Sequence, residues 1–374
     1  MIGAKFSSQI KMNNLSLKKK IIFSLIALFL FLLIAELGIR AILFLTPLGN
    51  KSLNLDPYEE PDPNFGWRLK ANYQNIRFSP DTKTEENLII NSKGFRGKEF
   101  NKEKKADVNR IITMGDSVTF GITPEVCPYP SQLQEIFNKK YPNKVEIINA
   151  GVEGYSSEYV LKRLKYDILQ YKPDIVTVYV GWNDLYAVNP QSPLNSKKMA
   201  KLAEFLNKFY IYKAGRKVIF LWIKPKLDHL ITLSNAINAD AAIYDKFEPE
   251  NYKNNLKEII KVCRENNIKV ILINLTSILS DNMSQEDIKK VHYPYFTSDI
   301  EKLKTLQTIY NQAIEQVAQE NNTPQIDLNS AINKISNKGA LFFDTMHPYC
   351  EGQKIIAETI FNDLISQKLL DVVK

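Results

Sequence analysis

Apolar and polar positions fall into three regimes along the chain. Residues 21–35 are apolar apart from Ser24, and after Glu36 and Arg40 the apolar run resumes as far as Leu45. These 25 helix-compatible residues would rise roughly 37 Å at ~1.5 Å each, enough to cross a hydrocarbon core of ~30 Å with some tilt. The pattern predicts a transmembrane anchor over residues 21–45. Glu36 and Arg40 stand four apart on one helix face, where they can pair near the far end of the span. Residues 46–82 instead collect Pro47, Pro57, Pro61, Pro63 and Pro80 among Asn and Asp, which predicts extended or irregular chain with some surface-packed structure. From Arg110 onward, short β-branched runs alternate with helical periodicity, the signature of parallel strands joined by crossover helices.

Strands are predicted at 110–114, 145–149, 175–180, 270–274 and 324–327, and helices at 129–140, 157–170, 252–266, 299–320 and 352–369. Five β/α units make an α/β, three-layer doubly wound (flavodoxin-like) parallel five-stranded sheet, with ligands expected at the carboxyl ends of the strands. About 65 residues separate the third strand from the helix near Tyr252. That is too long for a crossover loop and predicts a helical, lid-like insertion over 187–250. The expected organisation is a basic tail over 1–20, the anchor over 21–45, a linker and N-terminal extension over 46–106, and an α/β domain over 107–374.

Composition and charge sharpen this picture. A chain of 374 residues at 44% hydrophobic and 24% charged can bury one sizeable core or two modest ones, which excludes disordered and collagen-like readings. The net charge of +8 is unevenly spread: residues 1–50 carry +5, residues 187–230 carry +7, and the rest is slightly acidic at −4. Lysines before the apolar run put the tail in the cytoplasm and everything after Leu45 outside it, in the periplasm or at the cell exterior. A cleaved signal peptide is the competing reading, but no small-x-small cleavage site follows cleanly, which favours an uncleaved single-pass anchor. The basic, aromatic-rich stretch 187–230 is either a solvated face over a helical core or a contact for an anionic membrane surface or acidic polymer. No base-reading machinery is present, so nucleic acid is not an expected partner. Three cysteines and three histidines are too few and too scattered for a disulfide scaffold or a zinc cluster, and no metal or cofactor is expected.

Three predicted strands run into polar clusters. The first ends in Met114-Gly115-Asp116-Ser117-Val118-Thr119-Phe120-Gly121, the second in Asn149-Ala150-Gly151-Val152-Glu153-Gly154-Tyr155-Ser156, and the third in Val180-Gly181-Trp182-Asn183-Asp184. Near the carboxyl end stands Phe343-Asp344-Thr345-Met346-His347-Pro348. A nucleophilic serine needs a base, and His347 is the only histidine with an acid three residues before it, so Asp344 can set its tautomer from a short turn. Acyl transfer also needs donors for a developing oxyanion. The amides of Ser117 and Gly154 and the side chain of Asn183 can converge from adjacent strand ends.

With these four blocks in this order, the chain resembles the SGNH (GDSL-type) serine hydrolases, in particular their bacterial membrane-anchored members. The resemblance covers about 107–370 and departs from the name-giving motif only at Val118, where Leu is usual. It implies Ser117 as nucleophile, His347 as base, Asp344 as orienting acid, and Ser117, Gly154 and Asn183 as the oxyanion hole. The expected activity is a membrane-anchored serine esterase acting on an acyl ester of a carbohydrate or lipid. The alternatives are an O-acetyltransferase acting on a cell-surface polysaccharide and a catalytically silent glycan-binding member. The segment 89–97 also looks like a lead-in seen in anchored members, without an evident role. Cys127 follows Ser117 by ten residues and Cys350 follows His347 by three, so in an oxidising compartment they could bridge the two loops. Cys263 reads as a buried small hydrophobe, and His229 and His292 as surface or packing residues.

Overall fold

The first element of the computed structural model, which describes residues 16–45, 58–78, 85–122, 127–186, 205–206, 209–212, 215, 248–294 and 297–370, is the helix α1 (Leu17–Leu45). Its stretch Leu17–Ile42 is long and apolar enough to cross a membrane. Arg40 pairs with Glu36 at 2.7 Å across one turn, and the other Glu36 oxygen accepts from the Ile211 amide at 2.9 Å. These contacts lie within one compact unit, Met1–Asp56 with Leu206–Ile219. The tail before Ser16 and most of the insertion 187–250, including its lysine-rich part and His229, lie outside the described residues.

The second unit, Pro57–Phe205 with Phe220–Lys374, carries the sheets. It begins with two antiparallel hairpins, β1 (Glu59–Asp62) with β2 (Gly66–Leu69), and β3 (Tyr73–Phe78) with β4 (Glu85–Ile90). The described part of the proline-rich stretch is therefore extended, as expected, with its strands paired. Pro61 is tolerated in β1 because a two-stranded ribbon leaves one edge of each strand without ladder partners. Asp62 closes the first turn by accepting from the Asn64 and Phe65 amides at 2.8 and 3.2 Å. Phe65, Leu69, Tyr73, Leu88 and Ile90 are buried, so the hairpins join the core and do more than coat its surface.

The main body then follows as β5 (Asn109–Gly115), α2 (Ser117–Phe120), α3 (Tyr129–Lys140), β6 (Val145–Gly151), α4 (Ser157–Tyr166), β7 (Ile175–Tyr179), α5 (Trp182–Tyr186), α6 (Glu250–Glu265), β8 (Lys269–Ile273), α7 (Gln285–Lys290), α8 (Ile300–Glu320), β9 (Gln325–Ile326), α9 (Leu328–Asn333) and α10 (Cys350–Ser366). The sheet is parallel, in the order β6-β5-β7-β8-β9. That order reverses direction after β6, leaving the switch point beside β5, where doubly wound sheets open a crevice. Helix α10 packs on α3, while α6 packs on α4 and α8. Covered in this way, β7 is buried at every position, which is why it reads as an unbroken Ile-Val-Thr-Val-Tyr run.

Several boundaries differ from the periodicity, two of them for a visible local reason. The helix expected over 157–170 ends at Tyr166, and Ile168–Tyr171 continues as a tighter 3-10 turn. The last strand contracts to Gln325–Ile326, because Asp327 turns away to cap α9 through the Ser330 amide. Arg96 forms bridges to both Ile90 and Asn149, fastening the hairpins to the β6 edge of the main sheet.

Candidate active site

The turn after β5 is tight because two glycines make room for it. Gly115 and Gly151 pair in register. A Cβ on Gly115 would stand 2.2 Å from Thr119 Oγ1, and one on Gly151 would stand 2.2 Å from the Phe120 amide nitrogen. The short helix α2 therefore folds back directly over the strand ends. Asp116 caps it by accepting from the Val118 amide at 3.0 Å. Asn149 Nδ2 donates to the Thr119 and Phe120 carbonyls at 2.9 and 3.3 Å, satisfying acceptors that so short a helix cannot. Ser117 is the partly exposed residue in this otherwise buried run.

Ser117 Oγ lies 2.7 Å from His347 Nε2, and His347 Nδ1 lies 2.6 Å from Asp344 Oδ2. With the Nδ1 proton directed at Asp344, Nε2 is left to accept from the serine hydroxyl. The second Asp344 oxygen accepts from the Met346 and His347 amides at 3.0 and 2.8 Å. Burial works against charge on Asp344, yet the hydrogen bond and positive charge of His347 and these two amides hold its carboxyl below the ordinary value. Burial likewise opposes a charged His347, but the Asp344 hydrogen bond and charge, with Asp116 and Glu153 adding theirs, raise its pKa above the usual 6.5. Asp116 itself is pushed up to about 7 by burial, against the pull of the Val118 amide and His347.

The histidine turn and the serine turn are fastened to each other. Cys127 and Cys350 form a disulfide with Cα atoms 5.0 Å apart. Gln353 on α10 donates to the Val118 carbonyl at 3.1 Å and accepts from the Tyr129 amide at 2.8 Å. Thr345 accepts from the His292 amide at 2.7 Å, so His292 contributes here through its backbone while its side chain is exposed and stacks on Tyr186 at 5.7 Å. Cys263 is buried among the apolar side chains of α6, which drives its thiol up to about 12.

The remaining two predicted residues lie beside the serine turn's supporting strands. Gly154 is exposed, with a left-handed φ of +78°. Asn183, in α5, donates one Nδ2 hydrogen to the Tyr155 carbonyl at 3.0 Å. Its neighbour Asp184 accepts from the Ser157 amide at 2.9 Å and hydroxyl at 2.5 Å, which locks α5 against the start of α4. Burial raises Asp184 to about 6. Among the described residues, no group of three or more His, Cys, Asp or Glu is gathered as a metal would need.

Several residues around the site escaped the sequence reading. Tyr58 donates to the Glu153 carboxylate and stacks on Phe120 at 5.7 Å. Arg96 donates to the Gly121 carbonyl and lies over the Phe120 ring at 4.6 Å, so the lead-in segment 89–97 braces the end of the Ser117 turn. Trp67 donates from its indole to the Glu153 carbonyl at 3.1 Å. A tryptophan and a tyrosine in a proline-rich stretch were the available signal, since aromatic residues there seek burial.

Residues 113–355 match the GDSL-like Lipase/Acylhydrolase family. An isoamyl acetate-hydrolyzing esterase of Saccharomyces cerevisiae is 21% identical over 262 residues, covering 68% of this chain and 85% of that protein. Among solved structures, an acetylxylan esterase from Geobacillus stearothermophilus is 16% identical, covering 71% of this chain and 96% of that chain at a TM-score of 0.43. An alpha/beta hydrolase enzyme from the metagenome of Lake Arreo, Spain, is 15% identical, covering 68% of this chain and 94% of that chain at a TM-score of 0.43. The family match takes in well over half of the sequence and all four motif blocks, so the chain belongs to the GDSL-like lipase/acylhydrolase family and is a carboxylic ester hydrolase.

Proposed function

We propose that the protein is a membrane-anchored serine esterase that removes an acyl group, acetyl in the simplest case, from a carbohydrate or lipid. The observation that carries this reading is the unbroken chain from Ser117 Oγ through His347 to Asp344, at 2.7 and 2.6 Å. Ser117 attacks the ester carbonyl while its proton passes to His347 Nε2, and Asp344 stabilises the imidazolium that forms. The Ser117 and Gly154 amides and the Asn183 side chain hold the oxyanion. Collapse expels the alcohol with the proton from His347, and water repeats the sequence on the acyl-serine to release the acid. The acetyl preference is supported by the yeast relative, which is named for hydrolysing an acetate ester.

Placement outside the cytoplasm is supported by two features. The lysines at 18, 19 and 20 precede the apolar stretch of α1, and their charge favours the cytoplasmic side. The Cys127–Cys350 disulfide suits an oxidising compartment. In this reading residues 21–45 anchor the chain, 46–106 link and extend it, and 107–374 form the catalytic domain.

The test uses the full chain in detergent with p-nitrophenyl acetate, comparing wild type with Ser117→Ala. Turnover by the wild type that the variant lacks is expected. Equal turnover by the two proteins, or none by the wild type on acetyl esters of any alcohol, would contradict the reading. Transfer of acetyl to an added oligosaccharide in preference to water would move the assignment to an O-acetyltransferase using the same residues.

A further inference from the structure

A single peptide group joins Glu153 to Gly154, and the hydrolase reading aims its N–H at the oxyanion. The carbonyl at the other end of that peptide accepts from Trp67 Nε1 at 3.1 Å. Trp67 lies in β2, outside the residues 113–355 that match the family. Its ring edge stands against Gly154, where an added Cβ would meet Trp67 Cζ2 at 3.2 Å. The same ring packs on Tyr155 at 5.2 Å and on Tyr159 at 4.6 Å. Tyr155 returns the contact, since its hydroxyl donates to the Trp67 carbonyl. The Tyr155 carbonyl in turn accepts from Asn183 Nδ2 at 3.0 Å. Two of the three oxyanion donors are thus tied to one tryptophan on a hairpin.

Peptide planarity gives this geometry its consequence. Fixing the direction of the Glu153 carbonyl fixes the opposite direction for the Gly154 N–H. Gly154 needs such a restraint, because glycine at φ +78° has no Cβ to oppose rotation of the peptide before it. A donor on the carbonyl also polarises the amide, strengthening the bond its N–H can give by on the order of 10–30%.

We propose that Trp67 is a positioning residue for the oxyanion hole, acting through the Glu153–Gly154 peptide. The inference rests on the hydrolase reading above and goes beyond the residues of the family match. Trp67→Phe keeps an aromatic ring in the cluster and removes only the N–H donor. Since outright loss of an oxyanion donor costs ~10²–10³-fold, a misdirected donor should cost about tenfold in kcat. KM for p-nitrophenyl acetate should stay within about twofold, because the ground-state ester gains little from the hole. Affinity for a boronic acid, whose tetrahedral adduct on a serine mimics the intermediate, should fall in step with kcat. Tyr155→Phe, which releases the Trp67 carbonyl, should shift both quantities the same way by a smaller factor.

The experiment measures kcat, KM, boronate affinity and Tm for wild type, Trp67→Phe, Tyr155→Phe and Ser117→Ala as full chains in detergent. A lower Tm with unchanged kcat and boronate affinity would make Trp67 a packing residue and overturn the inference, while Ser117→Ala still reports an intact hydrolase reading. A raised KM with unchanged kcat would make it a substrate contact and overturn the inference equally. If Trp67→Phe does not fold, unchanged kcat in Tyr155→Phe overturns it. Wild-type protein without Ser117-dependent turnover would overturn both readings together.

Discussion

Strand β7 of the main sheet is buried at all five positions, whereas β1 and β2 of the first hairpin each bury one residue, Asp62 and Leu69. The difference follows from what covers them. The packed helices of the α/β body remove β7 from water, whereas the hairpin is held by Phe65, Leu69, Tyr58 on Phe120 and the aromatic cluster of Trp67. Local opening costs least where burial is least, so the hairpin should be the softer of the two. Yet both reach the site. The rigid sheet presents Ser117 and Asn183 at the ends of β5 and β7, and the softer hairpin presents the Trp67 donor to the loop after β6. In the proposed reading, the groups that react sit on the well-packed scaffold and the group that aligns them sits on the less buried hairpin.

The largest effect should come from the body. Ser117→Ala is expected to lower kcat by ~10⁵–10⁶-fold with little change in Tm, read by ester turnover and thermal unfolding. Asp344→Asn should follow at about 10³–10⁴-fold, since the amide presents the wrong partner to His347 Nδ1. Its pH profile adds a sign. Asp344 raises the pKa of His347, and the base must be neutral to act. The acid limb of kcat/KM should therefore lie above the ordinary histidine value in wild type and move to lower pH in Asp344→Asn. Asn183→Ala should cost ~10²–10³-fold in kcat, an order of magnitude more than loss of the Trp67 donor. Equal losses at Asn183 and Trp67 would erase the distinction between scaffold and hairpin.

Smaller effects concern stability. Replacing Cys127 and Cys350 together by Ser should lower unfolding free energy by about 2–5 kcal/mol in urea, because the bond closes a long loop. Activity at low temperature should be largely kept, because the Gln353 contacts and the Gln132 donors to the Cys127 and Cys350 carbonyls still tie the two turns together. Asp116→Asn should change stability in a pH-dependent way. The Asp116 carboxyl is pushed from 3.8 up to about 7 in the folded protein. Its contribution to stability is complete below the unfolded pKa and is lost as pH rises through about 7. Wild type should therefore lose Tm relative to Asp116→Asn between pH 4 and pH 8, and parallel curves would contradict this assignment.

Much of the main sheet was legible because burial on both faces produces continuous β-branched runs and the helices between them keep a clear period. The α3 segment 129–140 is an example, with Leu133 and Phe137 buried on one face. Strand-end motifs made Ser117, Gly154, Asn183, Asp344 and His347 candidates, since local spacing such as Asp344 three residues before His347 is visible in sequence. The hairpins were not legible. Pro61, Pro63 and neighbouring polar residues dominate the composition, while the residues that pair across β1 and β2 are few and not alternating. Trp67 and Tyr58 act on Glu153 from 86 and 95 residues away, a relation that no local pattern encodes. Gln353 was hidden for the same reason, 235 residues from the Val118 carbonyl it holds.

The proposed esterase stands or falls on Ser117 being the nucleophile that His347 activates. A fluorophosphonate probe that forms a covalent adduct with activated serines, followed by peptide mapping of the full chain, tests this directly. The adduct is predicted on the peptide containing Ser117, absent in Ser117→Ala and formed far more slowly in His347→Ala. An active protein whose adduct maps to another serine, or that labels equally well after Ser117→Ala, would contradict it.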